Sequence, residues 1–161
     1  MSDKDMSVDV TVTVSGSYDL SSNPPPTITA QYSAQSDPQT NGVVGSNGLI
    51  DLTKMTPPQG YTTETKISFK LAGDVTDTSD KNKKCNPKFP SSGDKSISVS
   101  LQEGNGRDGV PEGWDKNRNS DTKITITDPD ADGATYDYTL FVELNGHTCP
   151  VDPSIINRRS D

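Results

Sequence analysis

The stretch MSVDVTVTV, residues 6–14, constrains the fold of this chain more than any other feature. One methionine and four valines alternate with Ser, Asp and Thr over its nine positions. A period of two places all the apolar side chains on one face of an extended strand, and β-branched Val favours that conformation. The stretch therefore predicts a β-strand in which Val10 and Val12 face the core and Thr11 and Thr13 do not.

The same alternation recurs along the chain. It is strongest at 65–71, 95–101 and 134–144, and weaker at 27–33, 49–55, 122–128 and 147–151. The dipeptide Asn145–Gly146 is a strong hairpin signal between the segments 134–144 and 147–151. Seven or eight antiparallel strands spaced in this way predict an all-β fold, an Ig-like β-sandwich. We expect one domain, 1–161, with long loops at about 34–48, 72–95 and 102–121 and a tail at 152–161.

The composition agrees with strands and turns. The acids are 19 Asp and only 4 Glu, and 18 Thr and 19 Ser accompany them. Glu suits helix interiors, whereas Asp suits caps and turns. Leu, Ile, Val and Phe number 29, so the predicted core is thin and the expected stability modest.

The C-terminal VDPSIINR follows a segment of the form ITDPD…YDYTLFVELNG. This end, together with the Val/Thr first strand, resembles small bacterial Ig-like sandwich proteins of the uncharacterised DP-EP family. The resemblance covers the two ends of the chain and not residues 34–94. It implies a β-sandwich, and it supplies no catalytic residue.

Charge excludes some functions. The net charge of −8 opposes nucleic-acid binding, which requires Lys and Arg against phosphates. One basic cluster, residues 81–88, fits a solvated loop better than an anion contact. No signal peptide and no apolar run of membrane length is seen, which predicts a cytoplasmic protein.

The acidic stretch TDPDADG, residues 127–133, begins as a calcium loop does. Its carboxylates are Asp128, Asp130 and Asp132, and Asp137 lies close enough in sequence to supply another. However, the twelfth position is Thr139 where a bidentate Glu belongs, and flanking helices are not predicted. Asp–Pro and Asp–Gly also make a good turn. We expect a turn without a cofactor, and calcium is the alternative.

Residues for catalysis are few. A nucleophile paired with a base requires the single histidine, His147, with Cys85 or Cys149. In a cytosolic protein the two cysteines are expected as free thiols, and one disulfide is the alternative. The triplet Asp77–Ser79 resembles the active triplet of aspartic proteases, but no hydrophobic strand leads into it, which indicates chance.

Aromatic residues in or near loops, above all Trp114 and Tyr61, are the predicted ligand contacts. Anchoring of the core or of a loop is the favoured role of such aromatics, and ligand contact is the alternative that makes these two the candidate binding residues. We therefore predict a non-enzymatic binding or assembly module whose partner is another protein or a second copy, with carbohydrate as a further option. The alternative function is calcium-dependent, lectin-like recognition through residues 128–137 and Trp114.

Overall fold

The structure, a computed structural model, describes residues 4–39, 41–45, 48, 50–54, 59–91, 96–101, 115–128, 135–151 and 154–156. These residues form strands and one 3₁₀ turn at Leu52–Lys54. The longer strands are β1 (Lys4–Ser15), β3 (Thr29–Asp37), β5 (Tyr61–Gly73), β8 (Ile97–Leu101), β9 (Asp115–Ser120), β10 (Lys123–Asp128), β11 (Thr135–Leu144) and β12 (His147–Val151). The short ones are β2 (Ser17–Tyr18), β4 (Ile50–Asp51), β6 (Val75–Asp77), β7 (Lys83–Cys85) and β13 (Ser154–Ile156).

The first sheet has five strands in the order β3–β1–β5–β10–β9. β1 pairs antiparallel with β3 and parallel with β5, and β10 is antiparallel to both of its neighbours. The alternation along β1 sets the faces as predicted, because Val10 and Val12 are buried whereas Thr11 and Thr13 are half-buried. Ile67 and Phe69 of β5 continue the same buried face.

The second sheet is built around β11. β12 and β13 lie along one of its edges and β8 along the other, and β4 follows β13. The predicted hairpin between β11 and β12 is present, with positive φ at Asn145 and Gly146, as a tight Asn–Gly turn requires.

The two sheets pack face to face. The ring of Phe69 on the first sheet lies 5.1 Å from the ring of Tyr138 on the second, tilted by 41°. The apolar side chains of β1, β5 and β10 meet those of β8, β11 and β12 in one buried cluster. The predicted all-β sandwich is therefore confirmed.

A third, small sheet has the strand order β2–β6–β7. The parallel pairing of β1 with β5 continues past a bend into β2 and β6, where the Thr76 amide donates to the Gly16 carbonyl at 2.9 Å. At the bend, Gly73 has φ +84°, and a Cβ there would collide with the Val14 carbonyl oxygen. Only glycine fits this close crossing without rearrangement.

The predicted strand count of seven or eight is too low, since the described residues contain thirteen. The additional strands are mostly two or three residues long, too short to show a period of two. β3 also extends to Asp37, inside the predicted 34–48 loop, because it pairs with β1 along its whole length. β9 lies inside the predicted 102–121 loop. Its sequence DKNRNS shows no apolar alternation, and pairing with β10 makes it a strand.

Helices are nearly absent from the described residues, as the Asp-rich composition predicts. In this part of the chain no helix has the length and apolar character needed to cross a bilayer.

Candidate functional site

The outward face of the five-stranded sheet is polar across four of its strands. We call it the outer face. Its side chains come from β1, β5, β10 and β9 and stand in cross-strand rows, which the register fixes. The rows are Ser7–Lys66–Thr127–Asp115, Asp9–Ser68–Thr125–Asn117 and Thr11–Lys70–Lys123–Ser120. They are the polar partners of the alternating apolar positions that fill the core.

Two adjoining depressions lie on the outer face. The larger, of about 510 Å³, lies over the first two rows between β5 and β9. The smaller, of about 350 Å³, lies over the third row and extends to Asp9 and Ser68. Ser68 borders both depressions, so together they form one shallow trough across four strands.

Hydrogen bonds order the floor of this trough. The hydroxyls of Ser68 and Thr125 lie 3.0 Å apart across β5 and β10, and the Thr125 hydroxyl is 2.8 Å from Asn119 Oδ1. At the end of the first row Lys66 Nζ lies 3.5 Å from Asp5 Oδ2. Fixed hydroxyl and amide groups offer a polar ligand both donors and acceptors at set positions.

Tyr61, a predicted ligand contact, lies half-buried where β5 begins. Its hydroxyl donates to Asp37 Oδ1 at 2.6 Å, and Lys4 Nζ lies 4.7 Å from the centre of its ring. Lys4 also contacts Asp37 Oδ2 at 3.2 Å. Hydrogen bonds from Tyr61 and then Lys4 lower the pKa of Asp37. The three side chains connect the starts of β1 and β5 to the end of β3.

The triplet Asp77–Ser79 contains a buried carboxylate. Asp77 Oδ1 accepts from the Ser79 hydroxyl at 2.6 Å, the Ser79 amide at 2.9 Å and the Leu20 amide at 3.3 Å. Asp77 Oδ2 accepts from Asn145 Nδ2 at 2.8 Å. Hydrogen bonds from Ser79, followed by Asn145, lower the pKa of Asp77 to about 2. A carboxylate held ionised by so many donors is a poor proton acceptor, and this one connects β6 to the β11–β12 hairpin.

The two cysteines are buried and carry free thiols. Burial, followed by the negative charge of Asp77, raises the pKa of both thiols. Because the thiolate is the reactive form, these environments disfavour nucleophilic chemistry at either cysteine. His147 is half-buried on β12, two residues before Cys149.

Most of the predicted calcium loop falls outside the described residues. Asp130, Asp132 and Trp114 lie there, as does the side chain of Asp137, although the backbone of Asp137 belongs to β11. Asp128 is the last residue of β10, opposite Thr65, and only 2% of it is exposed. Among the described residues no group of three or more His, Cys, Asp or Glu side chains has the arrangement of a metal site.

Sequence reasoning identified the polar half of each alternating strand but not the trough. The rows depend on which residue of one strand faces which residue of the next, and strand sequences do not contain that information. The alternation Lys66–Ser68–Lys70 was the available signal, since it marks one polar face of β5.

No protein-family model and no curated protein sequence matches this chain. The resemblance to the DP-EP family, and with it the Ig-like assignment, therefore stays a prediction.

Proposed function

We propose that the protein is a non-enzymatic binding module whose contact surface is the outer face. The observation that carries this proposal is the trough itself, formed by two adjoining depressions across four strands. Its floor is a hydrogen-bonded set of hydroxyl and amide groups on rigid strands. Groups held on strands keep their positions better than groups on loops, which favours a surface prepared for contact.

The partner that best fits this face is another protein surface, and a second copy of the chain is the first to test. The trough carries both signs of charge, since Lys66, Lys70 and Lys123 stand beside Asp9 and Asp115. Two copies related by a two-fold axis place the same patch on both sides, and an axis that sets lysines of one copy against aspartates of the other gives opposite-charge pairs. Such pairing offsets the repulsion that a net charge of −8 causes between copies.

Sedimentation velocity across a concentration series tests this proposal. We expect concentration-dependent association of the wild type, weakened about tenfold by Asn117→Arg, which fills the larger depression. The control is Thr148→Arg, at an exposed strand position on the second sheet. A wild type that stays monomeric at millimolar concentration, or equal effects of the two substitutions, contradicts the proposal.

Calcium-dependent recognition is the second candidate function. Residues 124–157 contain six acids and neither Lys nor Arg, so the local field favours a cation. The first carboxylate of the sequence motif, Asp128, is buried where β10 ends. A calcium titration, described in the Discussion, separates this candidate from the first.

A further inference from the structure

Two lysines of the outer face, Lys70 on β5 and Lys123 on β10, lie directly opposite each other in the antiparallel register. Both are exposed. Residues so placed have Cβ atoms about 4.5–5.5 Å apart, and like charges in that arrangement destabilise a sheet. The chain has 23 acidic residues and 15 Lys and Arg, yet the register places two lysines opposite each other here.

Neither lysine is neutralised by an ion pair within the described residues. Ion pairs there involve Lys4, Lys66, Lys88 and Arg118. The contrast with Lys66 is informative, because it lies on the same strand and face and pairs with Asp5 at 3.5 Å. In the third row, the residues beside the two lysines are Thr11 and Ser120, which carry hydroxyl groups and no carboxylate.

Residues with hydroxyl groups line the same depression as the two lysines. The smaller depression, of about 350 Å³, is lined by Thr11, Ser68, Ser120 and Thr122 in addition to the two lysines. Asp9 is the one carboxylate among the described residues that line it, so these two lysines and one aspartate give a formal charge of +1. Asp121, in the nearby hairpin, accepts from Arg118 Nη2 at 2.7 Å. A local positive charge therefore persists on an acidic protein.

We propose that this depression, the lysine cradle, binds a phosphate or sulfate group. An anion between the two lysines adds two attractions that outweigh the repulsion between their ammonium groups, because it lies nearer to each of them than they lie to each other. Lysine binds phosphate groups as a point charge, and two lysines together suit a compact, highly charged oxyanion. The hydroxyls of Thr11, Ser120 and Thr122, which lie outside the Ser68–Thr125–Asn119 chain of hydrogen bonds, offer donors to the remaining oxygens. The group is a free ion or an ester on a small molecule such as a sugar, and the cradle needs one copy of the chain only.

The substitution Lys70→Gln gives this proposal a characteristic signature. Without ligand it removes the repulsion from Lys123, so the melting temperature should rise by about 1–3 °C. The same substitution should abolish the additional stabilisation that phosphate gives the wild type. Lys123→Gln should behave alike. Lys84→Gln, at an exposed position of β7, removes an equal charge elsewhere and serves as the matched control.

The experiment uses the full chain at low ionic strength and at micromolar concentration, with the monomeric state checked by sedimentation velocity. Inorganic phosphate, inorganic sulfate and glucose 6-phosphate are titrated separately, with glucose and sodium chloride at matched ionic strength as references. Melting temperature reports stabilisation, and backbone amide shifts in an NMR titration report location. We expect the largest shifts at residues 9–11, 68–70 and 120–123, and at least tenfold weaker binding in both cradle variants.

Tighter binding of glucose 6-phosphate than of inorganic phosphate identifies an ester as the ligand, and equal binding identifies the free ion. Equal stabilisation of the wild type, Lys70→Gln and Lys84→Gln by phosphate overturns the proposal, because it reveals a general salt effect. NMR shifts outside the cradle overturn it as well. Self-association is measured separately, so failure of the proposed function leaves this result unchanged.

Discussion

The contact between Phe69 and Tyr138 joins the two sheets, and its energy is measurable. The rings lie 5.1 Å apart and tilted by 41°, and both side chains are fully buried. Aromatic pairs in this geometry contribute about 0.5–1.5 kcal/mol beyond the area they bury. We expect that coupling energy from a double-mutant cycle of Phe69→Leu and Tyr138→Leu.

The single substitutions have separate magnitudes. Phe69→Leu should destabilise by about 1–3 kcal/mol, through lost contacts and residual space. Tyr138→Leu should cost more, because the Tyr138 hydroxyl donates to the Gly48 carbonyl at 2.8 Å and a buried carbonyl left unsatisfied adds about 1–3 kcal/mol. The double variant should then be less destabilised than the sum of the two by the coupling energy.

Urea unfolding followed by fluorescence or circular dichroism measures each free energy of unfolding. Tyr138→Phe is the matched control, since it keeps the ring and removes only the hydroxyl. Combined with Phe69→Leu it should be additive within about 0.5 kcal/mol. If the effects of Phe69→Leu and Tyr138→Leu were also additive, the two rings would not interact. The face-to-face packing of the two sheets at this contact would then be contradicted.

Three further predictions concern acidity, register and calcium. Asp77 has a pKa of about 2 when folded, below its ordinary value of about 3.9, so its contribution to stability should be complete above pH 5 and lost as the pH falls through 2. Asp77→Asn should flatten the pH dependence of the free energy of unfolding, measured with urea at a series of pH values. An unchanged pH dependence in this variant would contradict the prediction. Val10→Asp should abolish folding, as judged by circular dichroism, whereas Thr11→Asp should be tolerated, because Val10 is 1% exposed and Thr11 faces outward; equal losses would contradict the register. Millimolar calcium should leave the melting temperature nearly unchanged, and a rise equivalent to about 2.7 kcal/mol that is lost in Asp130→Ala would instead establish a site occupied at 100 times its dissociation constant.

The strands that supply the core could be predicted from the sequence, because burial of one face imposes a period of two on their residues. β1, β5 and β11 were predicted from alternation alone, and the hairpin at Asn145–Gly146 from its dipeptide. β9 shows the limit of that reasoning. It is polar at every position and forms a strand because it pairs with the edge of β10. That pairing is a tertiary contact, and the local sequence of β9 does not predict it.

The parallel pairing of β1 with β5 was equally hidden, since alternating strands joined by turns suggest neighbours in antiparallel order. β3 occupies the other edge of β1, so the chain has to return for β5 to lie beside it in the same direction. Gly73 is a local sequence feature that the parallel pairing requires, because the Val14 carbonyl oxygen leaves no room for a Cβ there. A glycine after an alternating strand also fits an ordinary turn, so the residue does not identify the crossing by itself.

The lysine cradle depends on the same hidden information. Lys70 and Lys123 are 53 positions apart, and each lies in a polar–apolar alternation that needs no further explanation. A shift of the β5–β10 register by two residues would place Lys123 opposite Ser68 and leave both buried faces intact, because alternation is preserved by any even shift. Alternation alone therefore does not choose between these registers. The choice comes from specific contacts, among them the pairing of Ile124 with Phe69 in the core, the Ser68–Thr125 hydroxyl pair and the bond from the Leu71 amide to the Thr122 carbonyl at 2.8 Å. The observed register places Lys70 and Lys123 opposite each other, whereas a register shifted by two residues would separate them. This opposition is the physical reason to look for an anion between the two lysines.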